Sequence, residues 1–288
     1  MAHSEQDFLD LSGKNHPISF IPDQKDDLGA GSEKQKEQAI AFCKKVVYKV
    51  ETYLQHKFSL SETELTDTPK FVFTSLQNHA EINPLTGTIY VSSEYLSNLI
   101  PLEPVLIHEL LHYYASRWFD FRELDQYLVK GRKTGLSIRY TLEGEAVDGF
   151  GIFDEAIVAL LTKEIFSFKN TEFPKIEDSY ILEQKLLETV ITRTLPLKIK
   201  LWDTNNELHD KIFTDSNAVI FELQKSAWAK KKPEHAPIHR NVGRILVALF
   251  GEKNLHTIAT ATRRRTQDES PDEYNARIVG ILDIKKSD

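Results

Sequence analysis

Two histidines four positions apart, His108 and His112, stand in the stretch Pro104-Val-Leu-Ile-His-Glu-Leu-Leu-His-Tyr-Tyr-Ala-Ser-Arg-Trp118. If that stretch is helical, both imidazoles fall one turn apart on a single face, close enough to bind one ion. Glu109 follows the first of them directly. The result is the H-E-x-x-H pattern, in which two imidazole nitrogens hold zinc and the glutamate, itself no ligand, takes a proton from the attacking water. The pattern is short, and Leu106, Ile107, Leu110 and Leu111 make the stretch apolar on nearly every side. A buried helix with two satisfied core histidines therefore stands as the alternative.

A metal held by two histidines needs further donors. Cys43 is the only cysteine, which excludes an internal disulfide and a thiolate zinc site and leaves His, Asp or Glu. One carboxylate, Glu155, lies in Gly151-Ile-Phe-Asp-Glu-Ala-Ile-Val-Ala-Leu-Leu-Thr-Lys-Glu-Ile-Phe166, where Ile157, Leu160, Leu161 and Ile165 recur at helical spacing. On the first turn of that helix, Glu155 is either a charge favoured by the helix dipole or a third zinc ligand from a second helix.

Together, His108-Glu-Leu-Leu-His112 and Gly151-Ile-Phe-Asp-Glu-Ala-Ile157 resemble the two motifs of the gluzincins, the zinc metallopeptidases that include thermolysin and the aminopeptidases related to it. The likeness covers about residues 70–166. It implies His108, His112 and Glu155 as Zn2+ ligands, Glu109 as general base, an upstream strand lining the cleft and a mostly helical lower half. Two positions depart from the family: Asp154 stands where it has Asn, and Ala159 where thermolysin-like members carry an acid that orients a ligand histidine. The metzincin pattern fails, since it needs Gly at 115 and His at 118 where this chain has Ala115 and Trp118. A variant with Asp148 as ligand is the lesser alternative. His79-Ala-Glu-Ile-Asn83 is a poor substitute for the amine-binding motif of the aminopeptidases, so endopeptidase action is expected.

The elements that must position these residues follow from period and turn chemistry. Residues 1–31 mix polar groups with Gly13, Pro17, Pro22, Gly29 and Gly31 and read as a flexible arm. Ser32 with Gln35 makes a capping-box signature for a helix through about residue 57, with Cys43 on its apolar stripe as a buried structural thiol. Phe71-Val-Phe-Thr and Thr88-Ile-Tyr-Val-Ser92 read as strands joined by a tight reversal at Asn83-Pro-Leu-Thr-Gly87. The second would offer an open edge to an extended peptide or serve as an ordinary sheet strand. Leu136 to Leu142 alternates enough for a strand in a hairpin over roughly 134–153. Beyond residue 170, Tyr180 to Thr194, Ser216 to Trp228 and Val242 to Phe250 carry helical apolar spacing. An oxyanion donor is expected from this half. His239 is the candidate, with Tyr140, His235 and Tyr274 as alternatives.

The 288 residues, 41% of them apolar, suffice for a packed core. The net charge of −7 and pI near 5.8 argue against nucleic acid. The basic runs Lys230 to Lys232 and Arg263 to Arg265 read as solvated ends or loops. Neither a secretory signal nor a membrane span is evident, so the chain reads as cytoplasmic. The expectation is an α+β, zincin-like fold: a small mixed sheet and active-site helix over a mostly helical C-terminal half. Its segments are the arm 1–31, a catalytic subdomain 32–170 and a helical subdomain 171–288. It would be a zinc-dependent peptidase acting on a peptide or protein substrate. The rivals are a catalytically inactive zincin-fold metal-binding or interaction protein, and a helical protein without metal.

Overall fold

The structure is a computed structural model that describes residues 32–60, 65, 69–76, 79–83, 87–121, 129–142, 145–167, 181–195, 197–203, 207–228, 241–263 and 268–282. The expected arm, His235 and His239 lie outside them. The fold is mixed α+β, mostly helical with three small sheets. It divides into two compact units, one formed by described residues of Met1–Tyr114 and Leu161–Glu177, the other by those of Ala115–Leu160 and Asp178–Asp288. No helix among the described residues is long and apolar enough to cross a membrane.

In the first unit, α1 (Glu33–Phe58) starts at the expected capping box: Gln35 donates its backbone N–H to the Ser32 hydroxyl, and the Ser32 N–H donates to the Gln35 side chain. Cys43 is fully buried on its apolar face, and burial pushes the thiol pKa well above its ordinary value, which suits a packing role. The sheet runs β1 (Lys70–Thr74), β3 (Thr88–Ser92), β2 (Ala80–Asn83), with β1 and β3 parallel and β2 antiparallel to β3. The turn residues expected between the two longer strands thus lie in sequence between β2 and β3. The central position of β3 corrects the expectation of an open edge there: both its sides are paired, and the antiparallel edge belongs to β2. A four-residue strand is too short to show a period, which is why it escaped notice.

Helix α2 (Leu102–Ala115) carries the histidine pair. Pro104 sits within its first turn, where its missing N–H costs no helical bond. Leu102, Leu106, Ile107, Leu110, Leu111 and Ala115 are all fully buried. Each fully buried leucine or isoleucine contributes about 1.5–3 kcal/mol, so packing dominates the placement of this helix. Polar ties to α1 add direction: Lys49 pairs with Glu103 in the first turn at 2.7 Å, and the Tyr114 hydroxyl in the last turn donates to buried Glu51 at 2.6 Å. Gly87, at φ 67°, lies against Tyr113, whose ring a Cβ there would approach to 3.1 Å.

The second unit begins where α2 ends. The expected helical stretch through Trp118 stops at Ala115, and the chain turns directly into a four-stranded antiparallel meander: β4 (Ser116–Phe121), β5 (Val129–Thr134), β6 (Ser137–Leu142), β7 (Glu145–Gly149). The expected strand at 136–142 is β6. Gly135 and Leu136 form the β5–β6 turn, and the Gly135 N–H takes the last carbonyl of α2, that of Ala115, at 3.2 Å. Helix α3 (Gly151–Ser167) follows β7, beginning in this unit and ending in the first.

The remaining helices are α4 (Ile181–Thr194), α5 (Ser216–Ala227), α6 (Asn241–Phe250), α7 (Leu255–Ala261) and α8 (Pro271–Leu282). The first three match the periodic segments read from sequence. Between α4 and α5 lies an unforeseen hairpin, β8 (Lys198–Trp202) with β9 (Leu208–Ile212). Buried Asn241 seals its end, exchanging two hydrogen bonds with the Trp202 backbone and donating a third to Glu222, each 2.9 Å. Helix α8 starts with Pro271 after a second capping box, Ser270 with Glu273.

Glu269, just before α8, accepts from Arg277 at 2.7 and 2.8 Å and from Arg263 at 3.0 Å. The Arg277 hydrogen bonds, then the charges of Arg277 and Arg263, outweigh burial and hold its carboxyl at about 2, below the usual value of 4.5. A folded pKa below the unfolded one gives stability that is fully present above the unfolded value and lost as pH falls toward the folded one. The stability gap between wild type and Glu269→Gln, measured by urea unfolding, should be largest above about pH 5 and narrow through the window from 4.5 toward 2. A gap constant across that window would show that the ion cluster does not stabilise the fold.

Candidate metal centre

The sequence places His108 and His112 on one helical face, and α2 does the same: their Nε2 atoms lie 3.1 Å apart, with the rings edge to face at 76°. His112 is 3% exposed, while His108 and Glu109 are half-buried. Glu155 sits in the second turn of α3 and is half-buried. His108 and His112 belong to the first unit and Glu155 to the second, and all three are candidate metal donors. Two ligands bound at about 2.0–2.1 Å to a tetrahedral zinc lie about 3.3 Å apart, so the imidazole pair has close to the required spacing. Two neutral nitrogens and one carboxylate oxygen are also a donor set that zinc accepts while keeping a fourth position for water or substrate. The residues present therefore fit the metal that the motif implies.

Local structure explains how α3 presents Glu155. Phe150, immediately before the helix, is one of two non-glycine residues with positive φ among those described, at 63°. The next residues have their N–H groups at a helix start, where no intrahelical acceptor exists. Here the carbonyls at the end of α7 serve, Ala259 accepting from Phe150 at 3.3 Å and Thr262 from Ile152 at 2.8 Å.

Asp154, read from sequence only as a departure from the family's Asn, has a defined role. Fully buried, it accepts the Leu136 N–H at 2.8 Å and so ties the β5–β6 turn to the helix that bears Glu155. A Cβ at Gly135, itself at φ 56°, would come within 1.8 Å of the Asp154 carboxylate. Ala159 is buried, and no acid stands at its place on α3.

Among the oxyanion candidates, the side chains of Tyr140 and His239 lie outside the description, as do those of Asp148 and Glu145, the rival ligand positions. Tyr274 is described. Half-buried on α8, it donates its hydroxyl to buried Glu183 of α4. Burial, the Glu183 hydrogen bond and the charges of Glu183 and Glu155 together push its pKa above the ordinary tyrosine value, so it keeps its proton and remains a donor.

A second clustered group, Asp203, Glu207 and His209, occurs at the β8–β9 hairpin. His209 is largely exposed and lies 3.0 Å from Asp203 and 3.4 Å from Glu207, so polar contacts within the hairpin account for that cluster. No family model, curated protein or solved structure matches the chain, so its resemblance to the gluzincins stands on the residues of the two motifs.

Proposed function

We propose that this chain is a zinc-dependent peptidase of zincin-like fold, acting as an endopeptidase on peptide or protein substrates. The observation that carries the reading is the pairing of His108 and His112 on one face of α2, with their Nε2 atoms 3.1 Å apart. A zinc ion held there supplies Lewis acidity, which lowers the pKa of water and polarises a carbonyl oxygen.

The chain's own residues do the rest. His108 and His112 present neutral nitrogens and Glu155 a carboxylate, while Glu109, beside His108 but outside the ligand group, takes a proton from the attacking water. The water oxygen adds to the peptide carbonyl carbon, the C–N bond then breaks, and the proton held on Glu109 passes to the departing nitrogen. The developing oxyanion is assigned to His239, since the single proton of the Tyr274 hydroxyl is already given to Glu183. The outer edge of β2, unpaired among the described residues, suits an extended substrate, which would add to the sheet backbone to backbone.

Metal content tests the reading. Purified wild type should hold about one zinc per chain by elemental analysis, and the His108→Ala, His112→Ala double variant should hold none, since each change removes a donor nitrogen. Full zinc occupancy in the double variant would overturn the assignment.

A further inference from the structure

The start of α3 is held by a junction of backbone carbonyls that is itself held by one arginine. The end of α7 and the two residues after it present four carbonyl acceptors between positions 259 and 263. Ala259 and Thr262 take the N–H groups of Phe150 and Ile152, at 3.3 and 2.8 Å, while Ala261 and Arg263 take the Arg277 guanidinium, the latter at 3.0 Å. The orphan donors of one helix start are thus met by the orphan acceptors of another helix end. The contact is close: a Cβ on Gly149 would lie 3.2 Å from that of Ala259. Phe150 holds a left-handed backbone there, which a non-glycine residue keeps only where its surroundings over-determine it.

Arg277 fixes the other side of this junction. Its Nε and Nη2 form a two-point contact with Glu269, at 2.7 and 2.8 Å, and the Glu269 side chain is only 8% exposed. Its guanidinium also lies 5.1 Å from the centre of the Tyr274 ring, one helical turn earlier on α8. The planar fork is what allows one side chain to grip a carboxylate and two carbonyls together, and a lysine ammonium lacks that geometry.

We propose that Arg277 is a positioning residue for Glu155, acting through the α7 carbonyls from which the first turn of α3 is hung. The proposal rests on the reading of Glu155 as a zinc ligand. Residues that orient a ligand without touching the metal commonly contribute 10–100-fold in affinity.

The test is zinc affinity by chelator competition, in wild type and Arg277→Met, each with Glu155 intact and with Glu155→Gln. Arg277→Met should weaken zinc binding by about 10–100-fold when Glu155 is present and change it little when Glu155 is replaced, because its effect passes through that carboxylate. Arg277→Lys should restore only part of the loss. If circular dichroism shows Arg277→Met unfolded, Arg277→Lys and Glu269→Gln carry the same comparison. Unchanged affinity in these variants, or an equal loss with and without Glu155, overturns the proposal while wild-type zinc binding leaves the metal reading intact. Wild type without zinc affinity overturns both.

Discussion

Glu109→Ala is expected to lower peptide cleavage by at least about 10²–10⁴-fold, the usual contribution of general acid–base catalysis, while zinc content and fold stay as in wild type. The separation follows from where the residue stands. Glu109 is half-buried on α2 beside His108 but outside the group of His108, His112 and Glu155. Removing it takes away a proton acceptor and no proposed metal donor. The measurement is cleavage of an unbiased peptide library by zinc-loaded wild type and variant, with zinc quantified in both. A variant that cuts as fast as wild type would end the proposed mechanism. A zinc-loaded wild type that binds peptides and cuts none would favour the inactive metal-binding fold, for which the absence of an acid at Ala159 is the structural argument.

Glu155→Ala should weaken zinc binding by more than about 100-fold, the upper end of what losing a residue that merely orients a ligand costs. Asp148→Ala and Glu145→Ala, on β7, should bind zinc as wild type does. The contrast isolates a carboxylate whose helix is tied on one side to the β5–β6 turn through Asp154 and on the other to the end of α7. Chelator competition on the three variants decides it. Loss of zinc in Asp148→Ala or Glu145→Ala with retention in Glu155→Ala would move the third ligand into the strand before α3.

The parts of this arrangement that could be read from sequence are those whose logic is local. The 108/112 spacing, the capping box at Ser32 and the apolar stripe of α3 each lie within a few turns of one helix; α1 and α3 match the expectation, while α2 ends three residues short of Trp118. The β8–β9 hairpin does carry a local signal: Lys198-Ile-Lys-Leu alternates strictly, with Ile199 and Leu201 buried and both lysines exposed. Strand β5, Val-Lys-Gly-Arg-Lys-Thr, has almost no apolar residues, so periodicity cannot reveal it, and ladder pairing with β4 and β6 defines it instead. The junction at α7 was illegible for a deeper reason. Its acceptors are backbone carbonyls, which every residue has, and its Arg277 meets them across 14 and 16 positions of chain.

The burial of α2 on nearly all sides bears on how metal and folding are coupled. In small zinc domains the ion supplies the folding free energy, and chelation denatures them. Here the two imidazoles ride on a helix whose Leu102, Leu106, Ile107, Leu110 and Leu111 are fully enclosed and whose last turn is pinned by Tyr114 to Glu51. Packing therefore carries the entropic cost of bringing the histidines together, before any ion arrives. Zinc uptake at the proposed site would then be a binding equilibrium of an already folded chain, and chelation should leave the fold in place.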